Sequence, residues 1–297
     1  SYSTSLILQF HSTSFILRFS FSNLTHDILR LSKQDSDFSY CKMDEYNSGH
    51  LRVMPHEPFT WYKEGGYHPV ELGARFKDDR YTIRHKLGFG TSSTTWLAWD
   101  EQEKRWTSLK IKRSLVTLLS GEHLEIDREI RALTLLEAKH QELRPSEPRF
   151  FAKILDYFHH QGPNGTHTCI VTELLGPTIS QVWNLRNPLC LKEPLLPGSV
   201  LRASRQLLEG IKSVHKAGLC HADISPDNVA FTCFQAQAGD EDQLLKILGE
   251  PVTVDYQGVE PRPHNCPSQL IKAAGWSGWV DKPTEEIRLT DWGSSFS

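Results

Sequence analysis

The most informative stretch of the sequence is HADISPDN, which runs from His221 to Asn228. It follows a pattern over residues 200–217 that predicts an amphipathic helix, and Gly218 is a natural C-cap for that helix. An apolar run over residues 229–231 comes next and predicts a short strand. The stretch is therefore expected on a helix-to-strand connection, where it presents the carboxylate of Asp223 and the amide of Asn228.

A carboxylate and an amide at this spacing suit in-line phosphoryl transfer. Asp223 can position an acceptor hydroxyl and take its proton, and Asn228, five residues further on, can bind a metal ion. Asp291 stands in an Asp-Trp-Gly triplet after a short predicted strand over residues 287–290, and its carboxylate can bridge Mg²⁺ to phosphates. A buried structural carboxylate would explain either aspartate alone, so the interpretation depends on the ordered set.

Phosphoryl transfer also needs a phosphate cradle, and the sequence offers one upstream. Alternating patterns over residues 81–87, 94–99 and 106–112 predict three antiparallel strands, with Gly88-Phe89-Gly90-Thr91-Ser92-Ser93 as the first turn. Glycines let a backbone approach phosphates closely, and exposed N–H groups bind anions. Taken alone, such a turn is more often an ordinary strand connection.

Two charged residues strengthen the interpretation because of their order. Lys110 lies on the third predicted strand, from which it can reach α- and β-phosphates. Glu129 lies on a helix predicted over residues 122–139, where it is expected to face the sheet and hold Lys110 extended. The residues that define the apolar face of this helix are Leu124, Ile126, Ile130, Leu133 and Leu136.

The remaining patterns predict two further strands, near residues 152–159 and 168–173. The helix over residues 200–217 is expected to bury Leu201, Leu208, Ile211 and Val214. Residues 235–286 contain the polar run Gln-Ala-Gln-Ala-Gly-Asp-Glu-Asp and several prolines. We interpret them as a long insertion that is partly ordered at best.

Composition narrows the classes of partner. The 297 residues are 38% apolar, enough for one large core or two modest ones. A formal charge of −3 gives no electrostatic reason to expect a nucleic acid or a membrane surface as partner. No apolar run is long enough for a transmembrane helix. The six cysteines form no CxxC pair and are interpreted as free thiols in a reducing compartment.

The N-terminal part carries little fold signal. Residues 1–42 are rich in Ser, Phe and Leu, and the first methionine is Met43. This composition is weakly like that of a transit peptide, but disorder or translation upstream of the true start explains it better. We treat residues 1–59 as an N-terminal extension of this kind.

Taken together, these motifs resemble the eukaryotic protein kinases, specifically the SR-protein kinase family and its many fungal relatives. The likeness covers about residues 60–297 and includes the long spacer between Asn228 and Asp291. The segments that carry it are Gly88-Phe89-Gly90 with Ser93 in place of a third glycine, Trp96-Leu97-Ala98-Trp99-Asp100, the lead-in Tyr67-His68-Pro69-Val70, and Gly162-Pro163-Asn164-Gly165-Thr166-His167 before Ile170-Val171-Thr172-Glu173.

The resemblance implies an α+β, bilobal protein-kinase-like fold. A complete N-lobe, with an antiparallel sheet and one packed helix, would occupy residues 60–176 including the hinge. A partial helical C-lobe would occupy residues 177–297, since the sequence ends shortly after the Asp-Trp-Gly triplet. The implied activity is that of a serine/threonine protein kinase using ATP and Mg²⁺, with Arg/Ser-rich proteins as substrates. A monomer in the cytoplasm and nucleus is expected.

The resemblance also implies residue roles. Lys110 would hold the phosphates and Glu129 would orient it, while Asp223 would be the catalytic base. Asn228 and Asp291 would hold the metal ions. The implied nucleotide-binding residues are Leu87, Gly88, Gly90, Ser93, Thr95, Ser108, Lys110, the gatekeeper Thr172, and the backbone of Glu173 and Leu175.

Several positions depart from the usual kinase pattern. Ala222 replaces the arginine that normally binds a phosphorylated activation segment, so no such switch is expected. Ser225 replaces the lysine that faces the γ-phosphate, a loss that can raise the transition-state energy by about 2–4 kcal/mol. Thr95 and Ser108 replace small apolar residues over the adenine, and Trp292 is a milder change.

Three alternatives compete with an active kinase. A pseudokinase or truncated module would bind nucleotide or a partner without turnover. A small-molecule phosphotransferase of kinase-like fold often lacks the loop lysine, but the glycine-rich segment and the long spacer argue against it. A Rossmann dehydrogenase would need a helix after the glycines, whereas a strand is predicted there.

Overall fold

The structure, a computed structural model, describes residues 5–10, 13–18, 56–121, 127–143, 146, 148–185, 195–237, 240–256 and 261–297. Contacts divide the chain into two units, Ser1–Asn47 and Ser48–Ser297. In the first unit, β1 (Ser5–Phe10) and β2 (Thr13–Arg18) pair antiparallel as a hairpin. The Leu, Ile and Phe content of both segments favours strands. The interpretation of residues 1–59 as an N-terminal extension stays a prediction. The rest of residues 1–55 lies outside the described part.

The second unit opens with a lead-in segment and a six-stranded antiparallel sheet. The strand order is β3-β4-β5-β6-β8-β7. The bounds are β3 (Arg75–Phe76), β4 (Tyr81–Phe89), β5 (Ser93–Asp100), β6 (Arg105–Lys112), β7 (Ile154–Gly162) and β8 (Gly165–Glu173). All five predicted strands of this region are present, extended by a few residues. The alternating patterns were sufficient to predict these strands, because each strand pairs with a neighbour in the sheet and most neighbours are joined by short connections.

Two helices follow β6 where one was predicted. They are α1 (Ser114–Gly121) and α2 (Arg128–Leu143). The predicted start at residue 122 is wrong, because Asp127 caps α2: its Oδ1 accepts the N–H of Glu129 at 2.9 Å. Of the predicted inward residues, Ile130, Leu133 and Leu136 are buried. Leu124 and Ile126 lie outside the described residues.

The chain after β8 forms the rest of the second unit. Its elements are β9 (Leu175–Thr178), α3 (Ile179–Leu185), α4 (Pro197–Lys216), β10 (Val229–Thr232), α5 (Phe234–Gln237), α6 (Glu241–Leu248), β11 (Thr253–Asp255), β12 (Gln269–Ile271) and β13 (Ile287–Leu289). β10 lies between β13 and β9 in a three-stranded sheet. The fold is thus α+β, with one large antiparallel sheet and a smaller mixed region.

The prediction for the buried face of α4 is wrong at two of its four positions. Leu201 is 69% exposed and Leu208 is 47% exposed, whereas Val214 is buried as predicted and Ile211 is half-buried. Ala203 and Gly210 are also buried. At Gly210 the helix approaches Phe150 closely, which a larger residue would prevent. A Cβ placed on Gly210 would lie 2.8 Å from the Phe150 Cβ. Gly218 follows the helix with φ +79°, as its predicted capping role requires.

The spacer over residues 235–286 is more ordered than predicted. Within its described part, Leu244 and Leu248 of α6 are fully buried, and β11 pairs with β12. The C-terminal part of the spacer contacts both sheets: the N–H of Ala274 donates to Lys86 O of β4 at 2.8 Å, and Trp279 packs on Phe231 of β10. Composition suggested a loop because the apolar residues of the spacer are buried by partners distant in sequence.

None of the helices in the described ranges combines the length and apolar character needed to cross a bilayer.

Candidate active site

The sheet brings the predicted phosphate-binding residues into register. Gly88 pairs with Thr95, and Thr95 pairs with Lys110, so the three lie side by side on β4, β5 and β6. One step along, Ser108 lies between Leu97 and Thr172. Because strand side chains alternate between faces, Lys110 and Ser108 share one face of β6. Lys110, the gatekeeper Thr172 and the two residues expected over the adenine, Thr95 and Ser108, therefore occupy neighbouring positions on one sheet.

The other predicted nucleotide-binding residues flank these rows. Leu87 and Ser93 are buried where the two strands meet the glycine-rich turn. No atom lies within 4 Å of a Cβ built on Gly88 or Gly90, so the turn has open space beside both glycines. Glu173 and Leu175 flank the connection from β8 to β9. The N–H of Glu173 donates to Lys153 O at 3.0 Å.

Lys110 joins the sheet, the helix and the Asp-Trp-Gly segment. Its Nζ lies 2.9 Å from both carboxylate oxygens of Glu129 and 2.8 Å from Asp291 Oδ1. The side chain of Glu129 is only 5% exposed, whereas that of Asp291 is 44% exposed. The buried glutamate therefore fixes the lysine, and the more exposed aspartate faces the space into which Lys110 points.

The charges of these groups reinforce one another. Burial alone would lower the pKa of Lys110, but the carboxylates of Glu129 and Asp291 outweigh it and raise this pKa well above the ordinary value. The positive charge of Lys110 lowers the pKa of Asp291, against an opposing effect of burial. Lys110 is thus cationic and Asp291 anionic throughout the neutral range.

The HADISPDN stretch places Asp223 and Asn228 together. Asn228 Nδ2 donates to Asp223 Oδ2 at 3.0 Å and to the Asp223 carbonyl at 2.9 Å. Ala222, the residue before the aspartate, adopts φ +64°, a left-handed conformation that a non-glycine residue holds only under tertiary constraint. Asp223 is exposed.

Backbone bonds tie this loop to the Asp-Trp-Gly segment. Thr290 N donates to Asn228 O at 2.9 Å, and the His221 ring bonds through Nε2 to Thr290 O at 2.9 Å. The His221 ring also packs on the buried Trp292 at 4.4 Å. Asp223 and Asn228 are therefore held at fixed positions relative to Asp291, and through it to Lys110.

Sequence reasoning missed two charged neighbours of this group. Lys112 Nζ lies 2.7 Å from Asp127 Oδ1 and 3.1 Å from Glu129 Oε2, and all three side chains are about 5% exposed. The sequence signal that could have revealed Lys112 was the alternation of side chains along the strand. Lys110 and Lys112 are two apart on a strand, so they share a face, and Asp127 and Glu129 show the same spacing at the helix start.

The donor set fits a nucleotide-bound Mg²⁺ rather than a metal cage. No group of three or more His, Cys, Asp and Glu side chains in the described ranges could hold a metal ion. Mg²⁺ commonly takes one or two protein oxygens and completes its shell with phosphates and water. Asn228 uses its Nδ2 toward Asp223, which leaves the amide oxygen, and Asp291 offers an ionised carboxylate.

A strand lysine paired with a helix glutamate, beside a carboxylate–amide loop and an Asp-Trp-Gly segment, defines a protein-kinase-like site. Known sequences agree. Protein kinase dsk1 of Schizosaccharomyces pombe is 37% identical over 180 residues, 57% of this chain and 29% of that protein. Serine/threonine-protein kinase SRPK of Physarum polycephalum is 36% identical over 246 residues, 82% of this chain and 49% of that protein. The chain is therefore a relative of the SR-protein kinases.

The chain spans less than half the length of these relatives, from 29% to 49%. No family model matches it. A solved kinase-domain structure aligns with 77% of this chain and 55% of its own length, with a TM-score of 0.46 and 16% sequence identity. That likeness is too distant to carry weight, so the relationship depends on the sequence matches and the fold on the elements described above.

Proposed function

We propose that this chain contains the nucleotide site of an ATP-dependent serine/threonine protein kinase, which transfers the γ-phosphate to hydroxyl groups of proteins. The carrying observation is the contact of Lys110 with both Glu129 and Asp291, at 2.9 and 2.8 Å. A structural ion pair needs only one carboxylate. A lysine held by a buried glutamate and directed at a second, more exposed carboxylate is arranged to receive phosphate oxygens beside a metal ion.

Each residue then has a defined task. Lys110 exchanges its bond to Asp291 for phosphate oxygens, and Glu129 keeps it extended while it does so. Asp291 and Asn228 would hold Mg²⁺, which neutralises charge on the phosphates when bound. Asp223 accepts the hydrogen bond of the substrate hydroxyl and orients it in line with the phosphate, with its carboxylate fixed by Asn228.

The protein substrate is proposed on family likeness. Arg/Ser-rich proteins are the substrate class that the SR-protein kinase resemblance implies, and the exposed carboxylate of Asp223 leaves room for a polypeptide hydroxyl. A monomer acting in the cytoplasm and nucleus completes this proposal.

A second candidate function, nucleotide binding without turnover, is favoured by Ser225. The residue lies two positions after Asp223 and carries no charge with which to stabilise the transferring phosphate. Loss of one such group can reduce the rate by about 10²–10³-fold. Binding through Lys110, Asp291 and the glycine-rich turn does not require that group.

A single-turnover experiment separates the two candidates. The chain is mixed with [γ-³²P]ATP, Mg²⁺ and an Arg/Ser-repeat peptide, and the Asp223→Asn variant serves as the matched control. Transfer by the wild type and its loss, by about 10²-fold or more, in a variant with unchanged ATP affinity supports the kinase. Equal ATP binding by both proteins without transfer supports the binding module. Absence of ATP binding by the wild type contradicts both.

A further inference from the structure

The tip of the glycine-rich hairpin is held by two side chains from outside the hairpin. Tyr67 Oη donates to Gly90 O at 2.6 Å, and Arg113 Nη1 donates to Thr91 O at 3.2 Å. Because the glycines leave open space on their own side, these bonds restrain a segment that glycine would otherwise leave adaptable. Two consecutive carbonyls of the turn are therefore fixed in direction.

Tyr67 is well placed to act as a fixed anchor. Its side chain is 1% exposed, its N–H donates to Trp61 O at 3.0 Å, and Asn164 Nδ2 donates to its carbonyl at 2.6 Å. The turn that presents it depends on Gly66, where a Cβ would fall 1.8 Å from Trp61 O. The lead-in segment is thus a rigid support, from which Glu57 bonds to Lys86 of β4 and the phenol hydroxyl of Tyr67 reaches the turn itself.

Arg113 connects the same support to the far side of the turn. Its guanidinium lies 4.6 Å from the Trp61 ring and 5.8 Å from the Tyr67 ring, distances at which a cation is attracted to an aromatic face. Its backbone N–H donates to Ser92 O at 2.8 Å. The lead-in, the end of β6 and the turn therefore form one connected structure.

The direction of a peptide carbonyl fixes the direction of the next N–H, since the peptide unit is planar. Holding Gly90 O and Thr91 O outward, toward Tyr67 and Arg113, sets the N–H groups of Thr91 and Ser92 in turn. Burial also raises the pKa of Tyr67, so its hydroxyl is protonated and able to donate in the neutral range.

We propose that Tyr67 is a positioning residue, which acts through Gly90 to pre-organise the glycine-rich turn for the phosphates of the nucleotide. This inference rests on the proposed nucleotide site and goes beyond it, because it assigns a role in phosphate binding to the lead-in segment. Pre-organisation reduces the ordering that binding would otherwise have to supply. The effect should be specific to phosphates, because adenosine lacks the phosphate groups that the N–H groups of the turn would bind.

The test compares Tyr67→Phe with Tyr62→Phe. Both variants remove one buried phenol hydroxyl from the same aromatic cluster, but Tyr62 donates to Glu57 and not to the turn. Glu57 keeps its own bond to Lys86 of β4 in the Tyr62→Phe variant. Dissociation constants are measured for Mg-ADP and for adenosine with the full chain. Tyr67→Phe is expected to weaken Mg-ADP binding by about 2- to 12-fold, the range for one neutral hydrogen bond, and to leave adenosine binding unchanged. Tyr62→Phe is expected to change the ratio of the two constants by less than about 1.5-fold.

Hydrogen exchange of the apo protein gives a second measurement. Amides in a peptide over residues 87–95 are expected to exchange faster in Tyr67→Phe than in the wild type or Tyr62→Phe. If Tyr67→Phe weakens both ligands equally, changes neither, or leaves exchange at the turn unaltered, the positioning role is wrong. If the wild type itself binds neither Mg-ADP nor adenosine, the nucleotide site fails and the positioning role fails with it.

Discussion

Lys112 and Asp127 form a buried ion pair directly beside the Lys110–Glu129 pair, with Lys112 Nζ 2.7 Å from Asp127 Oδ1. Lys112 also contacts Glu129 at 3.1 Å. The glutamate that orients Lys110 is therefore held by two lysines and by the start of its own helix, where Asp127 accepts its N–H. This arrangement fixes α2 against β6 before any ligand binds.

Breaking this pair on one side is expected to be far more damaging than removing it. Asp127→Asn leaves the buried charge of Lys112 with Glu129, which Lys110 also uses, and should lower the free energy of unfolding by about 3 kcal/mol. The double variant Lys112→Met/Asp127→Leu removes both charges and should lose only about 1 kcal/mol, mainly the helix cap. Urea denaturation of the three proteins measures this. A double variant less stable than Asp127→Asn would contradict the prediction.

The strands and their order could be predicted because their signals are local. The alternating runs from Tyr81 to Lys112 and the glycine turn between them were sufficient to place Lys110 on the correct strand. Lys112 and Tyr67 were missed for different reasons. Lys112 carried a usable signal in its spacing, whereas the bond from Tyr67 to Gly90 depends on how a non-regular segment folds back, which no periodicity encodes.

The wrong predictions concern residues whose burial depends on partners that are distant in sequence. Leu201 and Leu208 of the expected apolar stripe of α4 are exposed, whereas Val214 is buried as predicted. The helix also buries Gly210, which allows a close approach to Phe150. The spacer looked polar over residues 235–242, but its burial is decided by contacts to β4 and β10.

A cluster of three histidines is expected to make stability depend on pH. The His68 ring lies 4.6 Å from His160 and 5.1 Å from His167. Burial, reinforced by the two neighbouring histidines, lowers the pKa of His68 to about 3. The folded protein therefore keeps His68 neutral, while an unfolded chain protonates it below about pH 6.5. Stability present above pH 6.5 should be lost progressively as the pH falls toward 3.

Replacing His68 tests the predicted loss of stability at low pH. The free energy of unfolding of the wild type should fall more steeply between pH 6 and 4 than that of His68→Phe, by about 1 kcal/mol per pH unit. Denaturant titrations at four pH values give both slopes. Parallel slopes for the two proteins would show that His68 does not stay neutral in the folded state.

The close approach of α4 to Phe150 predicts opposite effects at two glycines. Gly210→Ala adds a Cβ 2.8 Å from the Phe150 Cβ and should destabilise the protein by about 1–3 kcal/mol. Gly198→Ala, in the first turn of the same helix, meets no atom within 4 Å and should stabilise by about 0.5–1 kcal/mol through reduced unfolded-state freedom. Thermal unfolding of the two variants compares them, and equal effects would rule out the tight contact.

Whether the spacer contributes to the folded core can be decided with two adjacent residues. Trp279 is 6% exposed and packs on Phe231 of β10 at 5.0 Å between ring centroids, whereas Val280 is 56% exposed. Trp279→Ala should lower the free energy of unfolding by about 3–5 kcal/mol because it leaves a cavity against the strand that follows the HADISPDN loop. Val280→Ala should change it by less than about 0.5 kcal/mol. Equal stability of the two variants in urea would mean that the spacer does not pack on β10. The spacer would then not support the strand that directly follows Asn228.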